Sequence, residues 1–258
     1  MKTTPKKTTK AAAAKPQRLK IVKNDPWLEP FEGAIQGRHD HVLHKLHELT
    51  AGKKPLSEFA DGHLYFGLHK TEKGWVIREW APNATAIYLI GDFNGWQENE
   101  KYAFKRLKNS GNWELKLPAK ALKHQDLYKL KVHWEGGEGE RIPAWCRRVV
   151  QDDDTKIFSA QVWAPEQEYV FKKKTFKPNT DPLLIYECHI GMSQDAAKVG
   201  TYNEFRENAL PRIIEEGYNC IQIMAIQEHP YYGSFGYHVS SFFAPSSRFG
   251  TPEELKQL

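Results

Sequence analysis

The side chains that could do chemistry begin with an aromatic residue in a turn. Trp96 follows Asn94 and Gly95, which favour a tight, exposed turn. Lys129 and Lys131 alternate along a strand pattern and therefore project together, away from its apolar side. An exposed indole beside ammonium donors suits a sugar ring, which presents apolar C–H faces and hydroxyl edges. The same residues also fit a solvated strand face with a tryptophan folded back on its domain, and spacing alone favours that second interpretation.

A second candidate is a histidine-rich stretch near the N-terminus. Asp40, His44 and His47 would share one helical face by their i+4 and i+3 spacing, so they form a conceivable metal-ligand set, with His39 and His41 beside them. No cysteine lies near this stretch, and a polar face opposite an apolar stripe is typical of any surface helix. We therefore favour solvation over metal binding.

A third candidate is the adjacent pair Glu228 and His229, which could be mistaken for an acid and a base. Neighbouring residues on an extended segment point in opposite directions, so the two side chains cannot share one reacting proton. We expect both to be structural.

Composition limits the class of protein that can position such residues. The 258 residues are 40% hydrophobic and include 8 Trp, 11 Tyr and 13 Phe, which excludes a wholly disordered chain. No apolar run approaches the roughly 20 residues that span a bilayer. The N-terminus lacks the apolar stretch of a secretory signal, and Cys146, Cys188 and Cys220 have no metal-type spacing. We predict a soluble, cytoplasmic protein.

The positive charge is concentrated at the N-terminus. Residues 1–20 contain seven Lys or Arg and no acid, which leaves −2 on residues 21–258 out of a total of +5. A Lys/Thr/Ala/Pro segment has too little apolar surface to offset its ordering entropy, so residues 1–23 are predicted to be a disordered tail. Nucleic-acid binding by this tail is conceivable, but we favour a solubilising leader and expect no nucleic-acid partner.

Residues 24–60 have the pattern of a helical segment. Asp25-Pro26 is a helix-start signal, with Asp as N-cap and Pro at the first helical position. Pro30 and Gly33 should break the helical pattern into two pieces.

Residues 61–150 show short runs of period two broken by Gly, Asn and Pro. In the clearest run Tyr128, Leu130, Val132 and Trp134 share one face, opposite the lysines. Strands are predicted at His63 to His69, Gly74 to Trp80, Thr85 to Asp92, Tyr102 to Leu107, Asn112 to Leu117 and Leu127 to Trp134. Six strands at this spacing predict an antiparallel β-sandwich.

Residues 151–182 resemble a linker, and residues 183–258 have a different pattern of apolar and polar residues. Two strands are predicted here, at Leu183 to Ile190 and at Cys220 to Ile226, and the second is expected to be buried. A helix over Tyr202 to Glu216 is predicted between them, and Pro211 should kink or restart it. Strand, helix, strand is a βαβ unit. A capping box at Thr251 opens one more helix, and two βα units are too few to close an eight-stranded barrel. We expect an incomplete (β/α)8 barrel and the N-terminal piece of a longer protein.

Two stretches resemble a known family. Trp80-Ala81-Pro82-Asn83-Ala84 followed by Gly91-Asp92-Phe93-Asn94-Gly95-Trp96 resembles the family 48 carbohydrate-binding module of glucan-active enzymes. Leu184 to Gly191, GYNCIQIMAIQEHPYY and SFGYHVSSFFAPSSRFGTPEEL resemble the start of the glycoside hydrolase family 13 barrel in 1,4-α-glucan branching enzymes. The resemblance covers most of residues 24–258. Given this resemblance, sugar binding becomes the favoured interpretation of Trp96.

The resemblance also implies roles for individual residues. Trp96, Lys129 and Lys131 become glucan contacts, and Tyr237 matches the family tyrosine that stacks on the sugar at the cleavage subsite. Further glucan contacts are expected at Trp80, Asn109, Asn112 and Trp145, with Trp80 equally plausible as a core residue.

The implied reaction is cleavage of an α-1,4 linkage with retention and transfer of the glucan segment to a 6-hydroxyl. Retention needs two carboxylates about 5 Å apart, and the resemblance places both on later barrel strands. We therefore expect no catalytic residue in these 258 residues, no metal or organic cofactor, and a monomer whose partner is α-glucan and not a membrane. The alternatives are a non-catalytic glucan-binding or scaffold protein and part of a debranching enzyme.

Overall fold

A computed structural model describes residues 19–108, 110–173, 175–177, 181–224 and 226–258. The chain divides into two compact units, Met1–Asp61 and Gly62–Leu258, which are described separately. No helix in these described ranges is both long and apolar enough to cross a membrane.

The first unit is helical, as the sequence predicts. Its helices are α1 (Lys20–Asn24), α2 (Glu32–Thr50) and α3 (Leu56–Phe59), with a 3-10 turn at Pro26–Phe31. The Asp25 carboxylate accepts a hydrogen bond from the Trp27 N–H at 3.0 Å, so the predicted helix start is present. Pro30 lies inside the 3-10 turn and α2 begins only at Glu32, which confirms the break between two pieces.

Helix α1 corrects the predicted end of the N-terminal tail. The tail was expected to reach residue 23, but Lys20–Asn24 is helical and the Val22 side chain is buried. The pair Ile21-Val22 supplies the apolar surface that the rest of the basic segment lacks. Residues 1–18 lie outside the described ranges.

The second unit begins with helix α4 (Gly62–Tyr65) and continues as a sandwich of antiparallel strands. In the described residues these strands are β1 (Gly67–Thr71), β2 (Gly74–Trp80), β3 (Ala84–Gly91), β4 (Lys105–Arg106), β5 (Asn112–Leu117), β6 (Leu127–Trp134), β7 (Gly137–Arg141), β8 (Val149–Gln151) and β9 (Phe158–Gln161). The first sheet has the order β1-β2-β5-β4. The second has the order β3-β6-β9-β8, with β7 also paired to β6. The predicted antiparallel sandwich is confirmed.

The two sheets bury one common core. Ile77 and Leu115 from the first sheet pack in the same cluster as Leu89, Leu130 and Val132 from the second. Because side chains alternate along a strand, burial of Leu130 and Val132 turns the residues between them outward. Trp134, predicted on the buried face, is 40% exposed because it ends β6 beyond the core.

Three predicted boundaries in the sandwich are wrong. The first predicted strand, His63 to His69, is divided between helix α4 and β1, and Tyr102 to Leu107 contains only the two-residue β4. The predicted linker from residue 151 contains β9 and the end of β8, and β9 pairs with β6. Strands of three or four residues are too short to show a period, so tertiary pairing decides them.

The chain after the sandwich contains a parallel strand pair. Strands β10 (Ile185–His189) and β11 (Cys220–Met224) pair in parallel, with α5 (Tyr202–Glu204), a π-helical turn at Phe205–Ala209 and α6 (Leu210–Glu215) between them. This is the predicted βαβ unit, and the π turn immediately precedes the helix that contains Pro211. The expectation of a buried second strand is wrong, because no residue of β11 is fully buried in this two-stranded sheet.

Two further strands and a short helix complete the described fold. Strands β12 (Gln227–Glu228) and β13 (Ser241–Pro245) form an antiparallel pair, and α7 spans Pro252–Gln257. The Thr251 hydroxyl accepts from the Glu254 N–H, and the Glu254 carboxylate accepts from the Thr251 N–H, so the predicted capping box is present. Ala244 of β13 lies in the sandwich core, so this part packs directly on the sandwich.

Candidate binding site

The turn after β3 holds Trp96 in a defined position. The Asn94 side chain accepts a hydrogen bond from the Gly91 N–H and donates one to the Leu89 carbonyl, both at 3.0 Å. Gly95 and Trp96 both have positive φ, 63° and 62°. A non-glycine residue in this region costs about 1 kcal/mol, so the surrounding contacts must stabilise Trp96 there.

Asp92 supplies the most direct of these contacts. One of its carboxylate oxygens accepts from the Trp96 indole N–H at 3.1 Å, and the other accepts from the Leu127 backbone N–H at 2.7 Å. Leu127 is the first residue of β6. A single carboxylate therefore fixes the indole relative to the strand that carries both candidate lysines.

The three main sequence candidates lie on one side of the second sheet. The Lys129 ammonium is 5.9 Å from the centre of the Trp96 ring, within cation–π range. Lys131 projects to the same side of β6, and both lysine side chains are largely covered, at 16% and 20% exposure. The structure therefore brings Trp96, Lys129 and Lys131 together.

Sequence reasoning missed the acidic residues of this surface. Glu140 and Glu138 on β7 form ion pairs with Lys129 at 3.2 Å and Lys131 at 2.6 Å. The hydrogen bond from Lys131 lowers the pKa of the Glu138 carboxyl, and the same bond raises the pKa of Lys131. The signal that could have found them is the alternation of Gly137, Glu138, Gly139 and Glu140, a strand pattern without hydrophobic residues.

His133 continues the same row of side chains. Its ring nitrogens face Glu98 at 2.9 Å and Glu138 at 3.2 Å. These three residues are a group of potential metal ligands, with one donor atom from each within 4.8 Å of the others. The two contacts have hydrogen-bond lengths, so hydrogen bonding between the ring and the carboxylates accounts for them without a metal.

The histidine-rich helix offers no comparable group. Asp40 on α2 accepts a hydrogen bond from Gln36, and the Asp40, His44 and His47 side chains are exposed. In the part of the chain that the structure describes, these three residues do not form a group of close ligand atoms. The arrangement agrees with a solvated helix face.

The secondary candidates Trp80 and Asn112 lie on the first sheet. Trp80 is 60% exposed and is the register partner of Asn112, and its indole nitrogen closely approaches Gly111. A depression lined by Arg106 to Lys108, Ser110 and Gly111 adjoins this position. Asn109 lies outside the described residues. The exposure of Trp80 argues against a core role.

Trp145 is placed differently from the expectation of a glucan contact. Its ring stacks on Phe243 with centroids 4.0 Å apart and on Phe66 with centroids 5.5 Å apart. These parallel contacts take up aromatic surface that a sugar would need. Trp145 packs β13 against the sandwich, which argues against a role as a glucan contact.

The loop that follows β12 exposes several aromatic rings. Tyr237 is 77% exposed and follows Phe235 and Gly236, which have φ values of 51° and 79°. Tyr231 of this loop and Phe242 of β13 are also exposed, at 65% and 71%, and sequence reasoning gave them no role. Among the described contacts, no hydrogen bond or ring contact joins Tyr237 to Trp96, Lys129 or Lys131.

Glu228 and His229 are fully buried, as expected of structural residues. The Glu228 carboxylate accepts hydrogen bonds from the backbone N–H groups of His229 and Ser247, at 3.2 and 2.7 Å. The His229 ring contacts the Gln227 carbonyl at 2.9 Å. The bond from Ser247 ties β12 to the segment that follows β13.

The Lys131–Glu138 pair gives a pH-dependent prediction. A carboxyl whose folded pKa is depressed contributes stability that is present at neutral pH and is lost as the pH falls through that pKa. In the Lys131→Met variant, the titration midpoint of Glu138 should rise towards that of an ordinary glutamate, as measured by carboxyl ¹³C NMR. An unchanged midpoint, with Lys116→Met as the control, would show that Lys131 does not hold this carboxylate.

Comparison with known proteins fits this arrangement. The profile of carbohydrate-binding module 48 (isoamylase N-terminal domain) matches residues 65–146. The 1,4-alpha-glucan-branching enzyme of Dictyostelium discoideum is 42% identical over 245 residues, which cover 93% of this chain and 36% of that protein. The enzyme of the same name from Rhizophagus irregularis is 45% identical over 247 residues, covering 92% and 35%.

Solved structures show a similar fold at low sequence identity. A putative alpha amylase from Salmonella typhimurium has a TM-score of 0.59 at 17% identity, covering 74% of this chain and 30% of its own. A pullulanase from Bacillus acidopullulyticus has a TM-score of 0.57 at 17% identity, covering 74% and 27%. The chain spans about a third of the length of the curated relatives it matches. Over that third of their length it is similar to the 1,4-alpha-glucan-branching enzymes, and residues 65–146 match the carbohydrate-binding module 48 family.

Proposed function

We propose that this chain is part of a 1,4-α-glucan branching enzyme and binds α-glucan on the second sheet of its sandwich. The observation that carries the proposal is the position of the Lys129 ammonium beside the Trp96 ring. A pyranose stacked on the indole would present its hydroxyl edge to that ammonium.

The acids of β7 support this role. A lysine side chain loses conformational freedom when it binds a ligand, and this loss is smaller if the side chain is already held. Glu140 holds Lys129 and Glu138 holds Lys131. The same carboxylates can accept hydrogen bonds from sugar hydroxyls, so this face offers both donors and acceptors.

Trp80 and Asn112, both on the first sheet, are proposed as a second glucan contact. Asn109, which is outside the described residues, is proposed as a further contact from the sequence. The exposed Trp80 indole and the adjoining depression support this assignment. Two contact regions on one module would hold a long polymer more strongly than either alone, because the second contact forms at a high effective concentration.

We propose that residues 183–258 are the first two βα units of a (β/α)8 barrel. The parallel pair β10–β11 and the crossover helices between the two strands support this. Tyr237 lies on the loop beyond β11, where barrel enzymes carry their sites, and is proposed to stack on the sugar at the cleavage subsite.

The proposed reaction is cleavage of an α-1,4 linkage with retention and transfer of the segment to a 6-hydroxyl. It requires a nucleophilic carboxylate and an acid/base carboxyl about 5 Å apart. The resemblance assigns both to barrel strands that come later than β11. In this proposal the 258 residues bind and orient glucan, and other residues break the bond.

Replacement of Trp96, whose indole is the proposed stacking surface for the sugar, tests the binding site. Trp96→Ala should weaken retention on a glycogen affinity gel about tenfold, or about 1.4 kcal/mol, because the apolar sugar face loses its partner. Trp27→Ala is the matched control, since Trp27 is 87% exposed on the helical unit and has no proposed contact. Equal retention of the Trp96→Ala variant and the unaltered chain would contradict the platform role.

A chimera tests the reaction. In the chimera, these residues replace the corresponding part of the Dictyostelium discoideum enzyme, and the 258-residue chain is assayed beside it on amylose. We expect new α-1,6 branches, counted from anomeric NMR signals, from the chimera and none from the chain alone. Branching by the isolated chain would contradict the assignment of the acids. A folded chimera that binds amylose without branching it would contradict the proposed enzyme.

A further inference from the structure

A cavity of about 480 Å³ lies between the sandwich and the C-terminal part of the same unit. Leu68, at the open edge of the first sheet, lines one side, and Phe243 of β13 and Leu255 of α7 line the other. The volume falls in the range typical of small-molecule sites, roughly 300 to 1,000 Å³. The cavity does not include Trp96, Lys129 or Lys131.

Arg148 is a partly buried cation on the wall of this cavity. Its guanidinium donates to the Gly250 carbonyl at 2.7 Å and to Gln161 at 3.4 Å, and lies 5.1 Å from the Trp163 ring centre. Burial lowers the pKa of Arg148, which means that its charge is incompletely solvated. Within the described ranges no carboxylate forms a direct ion pair with it, and the charges of Glu228 and Glu254 favour its cation only from a longer distance.

Arg147 is a second cation without a counter-ion on this wall. It donates to His69 Nδ1 at 2.7 Å, and His69 Nε2 lies 2.7 Å from the Phe66 carbonyl. Since the Nδ1 atom accepts a hydrogen bond and the Nε2 atom donates one, His69 is neutral, and burial lowers its pKa in agreement. Arg147 has no carboxylate partner among the residues described, and part of its guanidinium fork is free.

The other charges around the cavity leave an excess of positive charge. The lining contains four cations, which are the two arginines with Lys70 and Lys256. It also contains two carboxylates, Glu168 and Glu253. Glu253 is already engaged by Lys256 at 3.0 Å and by the Trp163 indole at 3.1 Å. The lining therefore carries two more positive than negative charges, which favours an anionic ligand.

An apolar wall accompanies the cations. Phe243 lines the cavity and is 43% exposed, although one of its ring faces is covered by Trp145. Leu68, Pro165 and Pro245 extend this wall. A bare inorganic anion would leave most of the cavity unfilled, whereas a pyranose would place its C–H face on such a surface.

We propose that this cavity binds a phosphorylated hexose, with the phosphate on the side lined by Arg147 and Arg148 and the sugar ring against Phe243. Guanidinium groups suit a phosphate because their planar forks donate two parallel hydrogen bonds to its oxygens. The ligand is either a free hexose phosphate or a phosphate ester on a glucan chain. The site is separate from the surface around Trp96 and does not rest on the proposed branching function.

Calorimetric titration of the 258-residue chain with glucose 6-phosphate tests this site. We expect saturable one-to-one binding that weakens with added salt, and at least tenfold weaker binding of glucose and of inorganic phosphate. Arg147→Gln should weaken glucose 6-phosphate binding at least tenfold, whereas Arg212→Gln, at an exposed position on α6, should not change it. Titration with a phosphorylated maltodextrin and with the same maltodextrin without phosphate identifies the source, since only binding that the phosphate adds and that Arg147→Gln removes belongs to this cavity.

Three outcomes would overturn the proposal. They are the absence of phosphate-dependent binding of both phosphorylated ligands, equal affinity of Arg147→Gln and the unaltered chain for glucose 6-phosphate, and binding of inorganic phosphate as tight as that of glucose 6-phosphate. Arg148→Gln is a second variant with the same expected loss, but it also removes the bond to Gly250, so its folding is checked by circular dichroism. Trp96→Ala should bind glucose 6-phosphate normally, which separates this test from that of the glucan surface.

Discussion

The candidate glucan surface depends on the carboxylate of Asp92. It accepts one hydrogen bond from the Trp96 indole and another from the first backbone N–H of β6. The turn that carries Trp96 has two consecutive residues at positive φ, a conformation that a free peptide would leave readily. Both bonds are to a charged acceptor, and such bonds are stronger than neutral ones. One side chain therefore converts an unfavourable turn into a fixed platform at a fixed distance from Lys129.

Strand β6 determines the direction in which the two lysine side chains project. Burial of Leu130 and Val132 in the core determines which side of the sheet Lys129 and Lys131 face. A shift of one residue in the pairing would place both lysines in the core, so the register is strongly specified. The outer strand β7 then adds Glu138 and Glu140, which hold the two ammonium groups. The candidate glucan surface is thus a consequence of core packing on the opposite face of the same strand.

Sequence patterns predicted the strands in which apolar and polar residues alternate regularly. The bounds predicted for β2, β5 and β6 agree with the structure, because their alternation of apolar and polar residues reflects a sheet with one buried face. Strands β8 and β9 were missed because they are too short to show a period. The different surroundings of Trp96 and Trp145 could not be predicted. The two rings that stack on Trp145 belong to Phe66 and Phe243, which are far from it along the chain. For the same reason the cavity beside Arg148 left no local sequence signal: its walls come from segments that meet only in the folded protein.

The most direct test of the account is a crystal structure of this chain with maltoheptaose. The account predicts a glucose ring stacked on the Trp96 indole, with a hydroxyl about 3 Å from the Lys129 ammonium. It also predicts that the Asp92 carboxylate keeps its bonds to the indole and to Leu127 when the sugar is present. Maltoheptaose bound elsewhere on the chain, with the face of Trp96 left open to solvent, would contradict the account.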